Sequence, residues 1–198
     1  MTAKPSLVIT APESQQLFIS ALFGTGVGIE TQVGISLSAL LCDQLGVSRD
    51  YLDQRIQTIF LNGRTVDHPD RALIEKDATV ALSAAMPGLV GATLRKEGLL
   101  AVFRKDISQT DEKQTNCSRN DTMITLKLFN LVAKELGPSL LERGVWLKGS
   151  QLARHIERMG ENAPAALGSV AWNGRPIPAD QLRAIQWPAG WVNFVVHA

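Results

Sequence analysis

Cysteine is nearly absent. The 198 residues hold two, Cys42 and Cys117, too few for a disulfide framework and not placed as a CxxC pair. A reducing compartment is the expected setting. Histidine is equally sparse, and His68, His155 and His197 lie too far apart for a zinc cluster to be expected. Neither sign of charge is in excess: 20 Lys and Arg stand against 19 Asp and Glu, a net charge of +1. A dedicated binder of nucleic acid or of an anionic membrane would carry a basic surplus. Long apolar runs are missing too. The longest candidate, Val80 to Leu94, is interrupted by Ser83, Pro87 and glycines and falls short of the roughly 18 residues a membrane helix needs. Lys4 followed by the short stretch Ser6 to Thr10 is no secretory leader. A soluble, cytoplasmic protein is the expectation.

What is present is enough apolar side chain, 45% of residues, to build a core and to exclude disorder of the whole chain. The length suits one large domain or two small ones. Two stretches repeat. Ile59-Phe60-Leu61-Asn62-Gly63-Arg64-Thr65-Val66 is echoed by Val170-Ala171-Trp172-Asn173-Gly174-Arg175-Pro176-Ile177. In each, Asn-Gly between apolar runs predicts a type I′ hairpin, because both residues tolerate positive φ. Upstream, Ser36 to Gly46 and Ser150 to Gly160 share a design. A serine suited to the N-cap opens each, and a glycine suited to the left-handed C′ position closes it. Leu37, Leu40, Leu41 and Leu45, and Leu152, Ile156 and Met159, have helical spacing.

Strand-like sequence surrounds each helix. The first copy has 17–22, then Gly24-Thr25-Gly26-Val27-Gly28 as a hairpin tip, then 29–33 and 78–84. The second has 124–129, a connection through Lys134-Glu135-Leu136-Gly137, then 145–147 and 191–196. Strand, strand, helix, strand, strand, strand, twice over, predicts α+β modules with one helix on one face of a mixed sheet. The implied organisation is a domain over 1–92, a connecting segment over 93–121 and a domain over 122–198. In the connector, 99–103 is a further strand candidate, and 108–121 is a polar, flexible linker whose one apolar residue is Cys117. The first domain has six basic against nine acidic residues and the second eight against five, a mild complementarity. Leu40, Leu41, Phe60, Leu128, Ile156 and Trp172 are expected in the core.

Ile124 to Phe129, Ala133 to Gly137, Gly149-Ser150 opening a helix, and Trp172-Asn173-Gly174-Arg175-Pro176-Ile177 before a closing strand resemble the molybdopterin-synthase small subunit and the thiamine sulfur carriers. The first copy is similar from about Gln16 to Ala92. The resemblance implies two tandem β-grasp (ubiquitin-like roll) domains, each a mixed sheet with one main helix. It also implies as partner an adenylating or molybdopterin/thiamine-pathway enzyme. Such a family acts through a C-terminal Gly-Gly. Here the second copy closes on Phe194 to Ala198, and Gly91-Ala92, after Pro87 and Gly88, stands in the interior of the chain. Pro87, Gly88, Gly91 and Ala92 are therefore read as a processing site or a remnant of such a tail.

Other motifs support no chemistry. Gly24, Gly26 and Gly28 lack the remainder of a dinucleotide or phosphate-loop pattern. Ser36, Ser150 and Ser169 are outside any Gly-x-Ser-x-Gly. His155 has no acid–nucleophile set around it and reads as a surface or boundary histidine. Cys42 reads as a small buried hydrophobe and Cys117 as an exposed thiol without activating neighbours. Trp146, Trp172, Trp187 and Trp191 read as core, with Trp187 and Trp191, at a Trp-Pro-Ala-Gly-Trp turn, as candidate partner contacts. The expectation is a protein-interaction or scaffolding module with no catalytic role and no cofactor or metal. The alternatives are a sulfur-carrier precursor activated by cleavage at Gly91, and a β-grasp protein holding a small ligand between its copies.

Overall fold

The computed structural model describes residues 4–12, 21–84, 88–96, 98, 120–159 and 167–198. The expected strand at 99–103, the linker up to residue 119 with Cys117, and the C-cap at Gly160 lie outside the described residues, as do 17–20 of the first expected strand.

Where Asn-Gly was expected to turn the chain, it does. Asn62 and Gly63 have φ of 52° and 79°, and Asn173 and Gly174 have 51° and 75°. They join β3 (Thr58–Leu61) to β4 (Arg64–Thr65) and β8 (Val170–Trp172) to β9 (Arg175–Pro176). Both pairs are antiparallel. Ser36 caps as expected: its hydroxyl accepts from the Ala39 N–H at 3.1 Å. The helix it opens, α2 (Leu37–Ala39), widens into a π-helical stretch at Leu40–Gln44, and Leu45 N–H reaches back to Leu40 O at 3.0 Å. A second π-helical turn, α3, covers Tyr51–Arg55.

Two expected starts are corrected. The second helix, α6 (Gly149–Arg158), is capped by Lys148 and not by Ser150. The Gln151 side chain folds back to accept the Lys148 N–H at 2.9 Å, which fills the capping role without the serine. The glycine run is no hairpin tip. Residues 22–25 form a short helix, α1 (Leu22–Thr25), and β2 (Val27–Gln32) follows directly. Gly26, at φ 105°, is the turn between them.

The expectation of two tandem β-grasp domains is overturned. The strands form a single mixed ten-stranded sheet in the order β4-β3-β5-β6-β2-β7-β10-β1-β8-β9. The order includes β1 (Ser6–Thr10), β5 (Thr79–Ser83), β6 (Asp121–Phe129), β7 (Val145–Lys148) and β10 (Trp191–His197). The decisive pairings are long-range. Residues 124–129, expected to open the second copy, pair in parallel with β5, Leu126 opposite Val80. Strand β1, weighed in the sequence only as a leader, lies between β10 and β8, parallel to the first and antiparallel to the second. Helices α3, α4 (Gly88–Leu94) and α5 (Asn130–Arg143), the last with Pro138 inside it, were also missed.

The chain divides into two compact units, residues 1–27 with 137–198 (the terminal unit) and residues 28–136 (the central unit). In the central unit the core face of the strands carries Ile59, Leu61, Val80, Leu82, Ile124, Leu126 and Leu128, all at most 1% exposed. Leu37, Leu40, Leu41, Leu52 and Ile56 are wholly buried. In the terminal unit Leu7, Phe194, Leu147, Leu152 and Ile156 are buried. Of the six expected core residues, Phe60 and Trp172 are only half-buried. Phe60 alternates onto the face away from Ile59 and Leu61, which a strand period of two requires.

Candidate interaction surface

The alternation in the terminal unit separates two unlike faces. On one side Leu7, Ile9, Val145, Leu147, Val170, Val192, Phe194 and Val196 are buried. On the other, Ser6, Val8 and Thr10 of β1, Trp146 and Lys148 of β7, and Trp191, Asn193 and Val195 of β10 all stay partly exposed. The register puts these side chains together: Trp191 lies opposite Lys148, Asn193 opposite Trp146, and Val8 opposite Val195. An antiparallel sheet with one packed and one solvated face normally alternates apolar with polar. Here the part-exposed face carries two tryptophans and two valines, all of them half-buried, at positions where polar side chains are ordinary.

Both rings bear a cation. Lys148 Nζ sits 4.0 Å from the Trp191 ring centroid, and Lys4 Nζ 4.6 Å from that of Trp146. At a partly exposed site such a contact contributes about 0.5–1 kcal/mol. Its larger consequence is positional, because each ammonium is held above an indole and not free to sweep through solvent. Trp187, the other candidate contact, is half-buried and packs edge-to-face on Trp172, centroids 5.3 Å apart at 73°. The edge of this unit ends in β9, two residues long and closed by Pro176. Proline donates no ladder hydrogen bond, so this edge is poorly suited to taking up a further strand.

The central unit holds two densely bonded polar clusters. Glu135 on α5 accepts from the Tyr51 hydroxyl at 2.6 Å and from Arg55 Nε at 3.0 Å, and also pairs with Arg55 Nη2. The arginine hydrogen bonds, aided by that from Tyr51, lower the Glu135 carboxyl to about 2. Burial, and then the Glu135 carboxylate, push the Tyr51 phenol up. At neutral pH this leaves a saturated carboxylate and a protonated phenol, neither of them poised to move a proton. The cluster clasps α3 to α5. Arg49 similarly grips Asp70 with two parallel bonds of 2.7 and 2.8 Å and reaches Asp53 at 2.9 Å. Cys42, half-buried, has its thiol pushed up, first by burial and then, against the opposing pull of Arg49, by the carboxylates of Asp43, Asp53 and Asp70. That is the opposite of activation. His155 is held toward its neutral form by burial and by Arg158. Among the described residues no group of three or more His, Cys, Asp or Glu is arranged to hold a metal ion, and no helix is long and apolar enough to cross a membrane.

The segment read as a tail lies in α4, which contains Gly88, Gly91 and Ala92, with Gly91 buried. Pro87 lies outside the described residues. In this conformation the segment is not extended. Trp146 and Trp191, expected in the core, are only half-buried, and Lys148 and Lys4 were not singled out in the sequence. Their signal was available in Val145-Trp146-Leu147-Lys148 and Trp191-Val192-Asn193, where strict alternation puts each tryptophan opposite to the aliphatic face. Comparison with family models, with curated proteins and with solved structures finds no match to this chain.

Proposed function

We propose that this chain is a non-catalytic protein-interaction or scaffolding module, and that it engages its partner through the open sheet face of the terminal unit. One observation carries the reading: the clean split between a buried aliphatic face and a part-exposed face bearing Trp146, Trp191, Val8 and Val195. Tryptophan is the side chain most enriched at interface hot spots, since it removes a large apolar area from water while ordering few torsions. The tightly bonded carboxylate cluster at Glu135 and the raised Cys42 thiol support a non-catalytic role. The reading does not rest on the sulfur-carrier resemblance.

The test is site-specific crosslinking in the host of origin. A photoreactive residue replacing Val195, in the middle of the face, is compared with one replacing exposed Ala184 in the 3-10 turn Ala179–Ala184. A discrete crosslinked protein from position 195, and none from 184, is the expected result. Equal or absent crosslinking from both positions refutes the reading.

A further inference from the structure

The chain contains a single tyrosine, Tyr51. It opens α3, a π-helical turn, a geometry that proteins form rarely and often keep at functional positions. The ring is half-buried, and its hydroxyl donates to Glu135 Oε2 at 2.6 Å in a solvent-exposed hydrogen bond. Arg55 Nε donates to the same oxygen at 3.0 Å, so phenol and guanidinium are neighbours. Both companions are open to solvent, with 45% of the Arg55 side chain and 33% of the Glu135 side chain exposed. The residues leading to the turn, Gly46 to Ser48, lie in no helix or strand, and Asp50 and Asp53 beside Tyr51 are exposed. The hydroxyl is therefore within reach of a modifying enzyme, and its bonding partners fix what a charged group at that oxygen would do.

We infer that Tyr51 is a phosphorylation site, and that its phosphate takes Arg55 from Glu135 and loosens α5 from α3. The step is transfer of the γ-phosphoryl group of ATP by a protein-tyrosine kinase. The bond from the γ-phosphorus to its bridging oxygen breaks, a bond to Tyr51 Oη forms, the phenolic proton leaves, and ADP is the other product. Phosphotyrosine carries about −1.5 to −2 charges at neutral pH and has lost the proton that Glu135 accepted. Glu135 is ionised there, its carboxyl titrating near 2, so a hydrogen bond becomes a repulsion between two anions. Arg55 meets a phosphate with the same fork of donors it gives a carboxylate, and the phosphate offers it more charge. The change stays local. Leu52 and Ile56 of the α3 region are fully buried, and Lys96 Nζ donates to Leu52 O at 2.9 Å. Helix α5 keeps Val132, Leu140 and Leu141 in the core. What is loosened is the turn of α5 around Glu135. This switch and the open face of the terminal unit are independent readings.

The experiment has two arms. The intact chain is purified from its host of origin with phosphatase inhibitors present, and its peptides are read by mass spectrometry. Phosphate on Tyr51 is the expected result, and an unmodified Tyr51 across growth phases overturns the proposal. In parallel the intact chain is treated with a broad-specificity protein-tyrosine kinase and MgATP. With no second tyrosine in the chain, any phosphotyrosine reports on this site alone. Labelling of a peptide of residues 46–56 but not of the folded chain overturns the proposal, because the hydroxyl is then out of reach in the native state. Hydrogen exchange compares the phosphorylated chain with a mock-treated one. The amides around Glu135 are expected to exchange about fivefold faster, with those of β6 unchanged, and equal exchange overturns the switch. Tyr51→Phe should take no phosphotyrosine and show no acceleration. Glu135→Gln, confirmed as folded by circular dichroism, should be phosphorylated without the acceleration, since no carboxylate then faces the phosphate. Acceleration as large in Glu135→Gln as in the wild type would trace the effect to bulk and overturn the charge exchange.

Discussion

Gly149, the first residue of α6, is a position of the terminal unit with no room for one added methyl group. Its backbone is not in the left-handed region, so the constraint there is space. A Cβ at this position would lie 2.0 Å from the Pro188 carbonyl oxygen and 3.1 Å from both the Pro188 carbonyl carbon and the Trp187 Cβ. The first of these is backbone and cannot rotate away. The Gly149 N–H also donates to Gly190 O at 3.1 Å, tying the helix start to the turn that leads into β10. Gly149→Ala must therefore push the 187–190 turn outward. Overpacking of this kind costs about 1–3 kcal/mol, and weakening the bond to Gly190 adds about 0.5–1.5 kcal/mol. A total of about 2–4 kcal/mol, at about 2–4 °C per kcal/mol for a chain of this size, lowers the melting temperature by about 5–15 °C. The control is Gly190→Ala in the same turn, where a Cβ meets nothing within 4 Å and the change should stay within about 0.5 kcal/mol. Thermal unfolding followed by circular dichroism compares the two. Coincident melts of the two variants would refute the packing of α6 on this turn.

Three further outcomes follow from the same structure. Leu147→Ala, at a fully buried position of β7, should cost about 2–5 kcal/mol in urea titration, and an unchanged midpoint would contradict the assigned face of that strand. Gly174→Val, at φ 75° with open space around it, should cost about 1–2 kcal/mol from backbone conformation alone, and melting as wild type would remove the type I′ turn. Glu135→Gln bears on acid stability. The Glu135 carboxyl titrates near 2 in the folded chain against a usual 4.5, so its contribution is complete above about 4.5 and is lost as pH falls toward 2. The variant should therefore lower stability at neutral pH and flatten this acid limb, and a wild-type pH profile would show that the clasp to Arg55 and Tyr51 contributes nothing.

Local features were legible in the residues because their causes are local. Asn62-Gly63 and Asn173-Gly174 turn the chain since those residue types accept positive φ wherever they stand. Ser36 caps because its hydroxyl reaches an N–H three residues on. The aliphatic face of β6 was visible in the alternation of Ile124, Leu126 and Leu128, which any half-buried strand must show. Even α5 left a trace, with Val132, Leu136, Leu140 and Leu141 at helical spacing. Gly137-Pro138 obscured it, because that pair normally interrupts a helix and here is accommodated within one.

Which strand meets which had no such local cause. The alternation of β6 fits a place beside β5 or a place beside a strand of the second repeat equally well, since either buries the same three side chains. Only the assembled sheet sets it parallel to Thr79–Ser83. Likewise Leu7 and Ile9 announce a buried face but not that their neighbours are Phe194 and Val196 on one side and Val170 on the other. The candidate surface was divided in the same way. The sequence alone determined that Trp146 and Trp191 point away from their aliphatic neighbours, because side chains alternate along any strand. That the two indoles share one face, each beneath a lysine from a different segment, was decided by the tertiary structure, because cross-strand register is a long-range choice that no window of neighbouring residues encodes.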